Sequence, residues 1–196
     1  MNRPLARLIT TLAVAWLAAP LAALAADADR GGGIVYEVRA GVLDHDTDGL
    51  WSGFNRESGV DAFNRESGVD ANLEFIFTPH LEALGGTVRP ALGGSFNSEG
   101  DISKGYLAAR WEIEPTDNLF FALGIGGAVH SGELELVDNE QKALGLRVLF
   151  YFPIELGYRF DNRYSISAFF DHVSNAWLAD PNEGMDTLGI RLGYRF

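Results

Sequence analysis

The feature that most constrains this chain is an alternation of apolar and polar residues that returns eight times between Tyr36 and Phe196. Side chains alternate faces along a β-strand, so a period of two marks a strand with one apolar face. Tyr36, Val38, Ala40 and Val42 stand against Glu37 and Arg39. Ala71, Leu73, Phe75 and Phe77 oppose Asn72 and Glu74. The third run covers about 86–96, with Val88, Leu92 and Phe96 against Arg89 and Ser95. Leu107, Ala109, Trp111 and Ile113 then oppose Arg110 and Glu112, and Leu119 to Val129 sets large residues against Gly124, Gly126 and Ala128. The sixth run is long, with one parity apolar from Leu144 to Phe160. Tyr164 to Phe170 and Leu188 to Phe196 complete the set. Pro90 interrupts the third run, and a proline in a ladder belongs at an edge or bulge.

Eight strands, with short connections at 79–86, 115–118 and 161–163 and mostly longer ones at 44–68, 97–103, 131–141 and 175–185, predict an all-β fold. It is an eight-stranded antiparallel transmembrane β-barrel of the bacterial outer membrane. A water-soluble barrel with its apolar face inside, holding an apolar ligand, would give the same alternation. The membrane reading is favoured because the apolar face is crowded with aromatics that a narrow interior could not hold. The opposite face mixes Gly, Ala, Arg and Glu, and the last strand runs to Phe196 with apolar residues at every second position.

Residues 1–25 read as a signal peptide: Arg3 and Arg7 precede an apolar stretch that ends in Ala23-Leu24-Ala25. Residues 26–196 then form a single barrel domain. The absence of Cys excludes a disulfide framework, Cys-ligated metals and a thiol nucleophile. A net charge of -12 argues against nucleic acid as a partner. The sequence FNRESGVDA occurs at 54–62 and again at 63–71. It is read as a local duplication without a role, in the first outer loop. Asp44, His45, Asp46 and Asp48 in that loop do not match an EF-hand and read as solvated acidic residues; no metal or cofactor is expected.

The chemistry concentrates in the last two runs. His172 and Ser174 share the face of Ile166, Ala168 and Phe170, and Asp186 shares that of Leu188 and Ile190. A hairpin folded near residue 179 brings Asp186 opposite or diagonal to His172. Three polar groups therefore gather on the lipid-facing wall near the outer rim. They are the parts of a nucleophile, a base and an orienting acid. N–H groups around Asn175 and Ala176, or the Asn175 amide, are candidates for an oxyanion site. The plainer reading is a polar rim where the strands leave the bilayer, on a structural or adhesive barrel without catalysis. His45, His80 and His130 have no comparable company.

The run His172-x-Ser174-Asn175-Ala176, then Pro181-Asn182 and Asp186, resembles the core motif of the lipid A 3-O-deacylases of Gram-negative outer membranes, the PagL family. The resemblance covers about the last third of the chain. It implies His172 and Ser174 as catalytic residues, Asn175 beside the oxyanion, and Asp186 where the family can have a Glu. Glu183 is the alternative acid. It further implies a cofactor-free serine esterase that takes the ester-linked 3-hydroxyacyl chain at position 3 of lipid A. The partners implied are lipopolysaccharide and outer-membrane lipid, with a homodimer left open.

Overall fold

The computed structural model of the chain describes residues 33–47, 51, 66–137 and 142–196. The leader expected over 1–25 and the first FNRESGVDA copy lie outside the described residues. Among the described residues there are nine strands: β1 (Val35–Asp44), β2 (Val69–Phe77), β3 (Leu81–Ala83), β4 (Gly86–Asn97), β5 (Lys104–Ile113), β6 (Leu119–His130), β7 (Val148–Arg159), β8 (Tyr164–Ser174) and β9 (Met185–Arg195). Every pairing between these strands is antiparallel. β1 lies between β2 and β9, the sheet continues from β9 back to β4, and β2 pairs with β4 to close it. Eight strands make the ring, and closure leaves no unpaired edge within it, which a barrel in hydrocarbon requires.

The short β3 is the addition to the eight expected strands. It folds back on the start of β4 through a two-residue turn, Leu84-Gly85, with φ of 50° and 73°. Three residues are too few for alternation to register as a strand. This excursion also accommodates Pro90. The β2 ladder ends at Ile76–Ala91, and β3 takes over on that side only from Val88. Pro90 therefore stands where β4 changes partners, and its missing N–H costs no ladder bond.

Strand parity divides the wall. Leu92, Leu107, Ile125, Leu156, Ile190 and Leu192 are exposed on the outside. Tyr158 packs edge-to-face on Phe160, and Tyr194 on Tyr164 and Phe196, at the end where β1 begins and β9 stops. An apolar exterior ending in aromatics is the surface a bilayer demands. The interior holds the charges. Glu155 is fully buried and accepts from Arg39, Arg110, Arg191 and Ser167. Arg39 also pairs with Glu37 and Glu112, Arg191 with Glu74, and Arg159 with Glu112 and Glu114. These groups neutralise one another where they are buried. A lumen of this kind has no place for an apolar ligand, so the soluble-barrel alternative falls.

Toward the outer end the filling changes. Leu43, Tyr106, Leu149, Tyr151, Val173 and Met185 form a buried apolar layer, closed from above by Ile102 and Leu144. Leu144 had been expected at the start of the sixth strand. It continues the apolar parity, but its N–H bonds Glu133 O at 3.0 Å within the β6–β7 loop, and β7 begins only at Val148. Leu144 is apolar because it plugs the barrel mouth.

Candidate active site

β8 and β9 run side by side, with His172 directly opposite Asp186. Both side chains have the parity of the outer wall, as do Ala168 and Phe170 below them. His172 Nδ1 lies 2.7 Å from Asp186 Oδ1. An Asp is one methylene shorter than a Glu, yet it reaches the imidazole directly because the two residues face each other across the ladder. Glu183 does not take this place: its Oε2 accepts the Ala143 N–H at 2.6 Å and holds the β6–β7 loop.

Ser174 is two residues beyond His172 on the same face, opposite Phe150 of β7. Between the two side chains comes Gly184, at the entry to β9. A Cβ there would lie 3.1 Å from His172 Cε1 and 3.7 Å from Ser174 Cβ. The outward parity does not leave these residues bare to lipid. His172, Ser174 and Asp186 are all buried, because outer loops fold over the end of the wall.

The turn after Ser174 is strained. Ala176 and Trp177 both have positive φ, 51° and 63°, and Leu178 N bonds Asn175 O at 3.1 Å. Left-handed backbone costs a non-glycine residue roughly 1–2 kcal/mol. Asn175 supplies the bracing. Its Nδ2 donates to Leu144 O at 3.0 Å and Pro181 O at 2.8 Å, and its backbone N–H donates to Asn182 Oδ1 at 2.9 Å. This revises the expectation for Asn175: its N–H donors are committed to the loop, so it shapes the turn and presents none of them to an oxyanion. The Ala176 N–H is the remaining candidate.

The first outer loop is also unlike its sequence reading. His45 and Asp46 are buried rather than solvated. His45 sits between two carboxylates, Nδ1 2.8 Å from Asp70 Oδ1 and Nε2 3.0 Å from Glu66 Oε2. Burial opposes charge on this ring, but its hydrogen bonds to the Asp70 and Glu66 carboxylates outweigh it and raise the pKa to about 9. Glu66 and Asp70 belong to the second FNRESGVDA copy, which therefore has a structural role. Lys142 joins the loops, pairing with Asp46 and donating to Gly184 O at 3.1 Å. His80 is exposed at the opposite end, and His130 Nε2 bonds Leu146 O. Among the described residues, no cluster of three His, Asp or Glu side chains has the arrangement of a metal site.

The closed wall, apolar outside and ionic within, defines a β-barrel of the outer-membrane type, with a buried His172–Asp186 pair at its outer rim and Ser174 on the same face. Residues 112–195, from the end of β5 through β9, match the family model of lipid A 3-O-deacylase (PagL). Over that segment the chain is similar to the lipid A 3-O-deacylase family, and its fold is that of an outer-membrane β-barrel. Among solved structures it resembles the crystal structure of the outer membrane enzyme PagL. The TM-score is 0.57 and the identity 21%, over 82% of this chain and 99% of that one. The outer membrane protein Ail of Yersinia pestis is more distant, with a TM-score of 0.46 and 12% identity over 82% and 99% of the two chains. No curated protein sequence matches the chain.

Proposed function

We propose that the chain is a lipid A 3-O-deacylase, a serine esterase that removes the 3-hydroxyacyl chain at position 3 of lipid A in the outer leaflet. The carrying observation is the 2.7 Å contact between His172 Nδ1 and Asp186 Oδ1, with Ser174 one strand step above it on the same wall. Asp186 holds the Nδ1–H tautomer, which leaves Nε2 basic. Ser174 Oγ attacks the ester carbonyl carbon while its proton passes to His172 Nε2. The tetrahedral oxyanion is met by the Ala176 N–H. Collapse breaks the bond between the acyl carbon and the sugar O3, and the imidazolium returns its proton to that oxygen. Water then attacks the acyl-serine with His172 again as base, which frees the hydroxy fatty acid and restores Ser174.

The location supports the substrate class. A site on the outer wall at the rim meets lipid that diffuses within the outer leaflet, and its ester lies near the depth where strands emerge from the apolar band. The test is mass spectrometry of lipid A from cells expressing the chain. Lipid A should lose one 3-hydroxyacyl group, and Ser174→Ala should abolish that loss while the barrel still assembles. Unchanged lipid A with the native chain, or continued loss with Ser174→Ala, would overturn the assignment.

A further inference from the structure

The His–Asp pair is held from above by a residue outside the family-matched segment. β1 ends at Asp44, and the chain then crosses over the start of β9. Thr47 N donates to Asp186 O at 2.9 Å. Trp51 N donates to Asp186 Oδ2 at 2.7 Å. The Trp51 indole stacks on His172, with ring centroids 5.6 Å apart and planes at 25°. Each Asp186 oxygen thus has its own partner, His172 on Oδ1 and the Trp51 N–H on Oδ2. A carboxylate held at both oxygens cannot rotate away from the imidazole. The imidazole is itself confined, by the indole on one face and by Gly184 near Cε1.

The described residues on either side of Trp51 are tied down as well. His45 is clamped by Glu66 and Asp70, and Asp46 is paired with Lys142, which also reaches the Gly184 carbonyl. The elements that fix Trp51 and those that fix Gly184 are therefore joined.

We propose that Trp51 is a positioning residue of the site, its backbone N–H orienting Asp186 and its indole confining the His172 ring that Asp186 holds. This inference rests on the deacylase reading for its kinetics. The gain from such orientation lies in the chemical step, so its loss falls on kcat rather than on KM.

The experiment compares purified native barrel with Trp51→Phe, Trp51→Leu and Trp51→Ala, using lipid A in detergent micelles as substrate. Trp51→Ala and Trp51→Leu should lower kcat by about tenfold or more with KM within about threefold, and Trp51→Phe should restore most of the rate. The Phe and Leu variants retain apolar bulk, so they decide the matter if Trp51→Ala does not assemble. A second readout needs no activity: the Cε1 proton of His172 should carry an upfield ring-current shift in NMR spectra of the native barrel, lost in Trp51→Leu. Native-like kcat in Trp51→Leu, or an effect on KM alone, overturns the positioning role, and so does a His172 signal that ignores the substitution. A native barrel that is inactive while that signal responds instead overturns the deacylase reading and leaves the packing of Trp51 on His172 established.

Discussion

Gly184 leaves no room for a side chain beside His172. It has φ of 62°, and a Cβ on it would approach His172 Cε1 to 3.1 Å. Gly184→Ala should therefore move the imidazole by a few tenths of an ångström and strain the backbone at once. Deacylation should fall by about tenfold or more, while heat-modifiable migration on gels still reports an assembled barrel. Full activity in this variant would mean that the His172 ring is not confined as described.

In the proposed site Asp186 acts through its length as well as its charge. Asp186→Asn keeps the shape but removes the charge that favours the Nδ1–H tautomer and the imidazolium. By comparison with other Ser–His–Asp sites, kcat should drop by about a hundredfold or more. Asp186→Glu pushes the carboxylate one methylene further, so it can no longer meet both His172 and the Trp51 N–H from the same backbone position. Its rate should fall by about tenfold. Steady-state kinetics on lipid A micelles separates the two, and an Asp186→Glu barrel as fast as the native one would show that the fit of Asp186 is unimportant.

The His45 clamp gives the outer loops a pH dependence. Its pKa is raised from 6.5 to about 9 in the folded protein. The charged ring therefore contributes its full stabilisation below about pH 6.5, and the contribution is lost as pH rises through about 9. Hydrogen exchange at the backbone amides of Ile102 and Lys142, both of which donate to Glu66, should accelerate over this interval beyond the intrinsic base-catalysed increase. His45→Gln should remove the excess. An identical pH response in His45→Gln would rule out the clamp as its source.

Glu155 is the common partner of three buried guanidiniums, those of Arg39, Arg110 and Arg191. Glu155→Gln keeps the volume and leaves these cations short of one charge in a fully buried site. Removing one member of a buried ionic group typically costs about 3–5 kcal/mol. The urea midpoint for unfolding from lipid vesicles should drop accordingly, whereas Ser174→Ala at the rim should leave it in place. Equal midpoints for the native and Glu155→Gln barrels would show that the lumen tolerates the loss.

The ring of strands was legible because its cause is local. A strand with lipid on one side and a charged lumen on the other must alternate, and Leu107, Ala109 and Trp111 against Arg110 show this without knowledge of any neighbour. The contact of His172 with Asp186 was legible too, since hairpin geometry fixes which residues face each other. What could not be read depended on chain crossing from one loop to another. Nothing near Trp51 in sequence announces that it will reach β8 and β9. The carboxylates of the second FNRESGVDA copy looked dispensable because His45, their partner, lies on another strand end. Leu144 was misassigned because an apolar residue plugging a mouth and one on a strand have the same hydropathy. Asn175 carried the chemistry of an oxyanion donor, and only its three bonds to Leu144, Pro181 and Asn182 reveal that it is spent on the turn.

The apolar layer formed by Leu43, Tyr106, Leu149, Tyr151, Val173 and Met185 lies directly beneath the rim, and ionic side chains fill the space below it. The barrel is therefore a solid post and not a conduit. A lipid substrate of the site proposed at its outer edge would arrive sideways through the leaflet, a two-dimensional search. The proposed turnover would then be governed by the mole fraction of substrate among its neighbouring lipids, and diluting it with inert lipid would slow it even at unchanged bulk concentration.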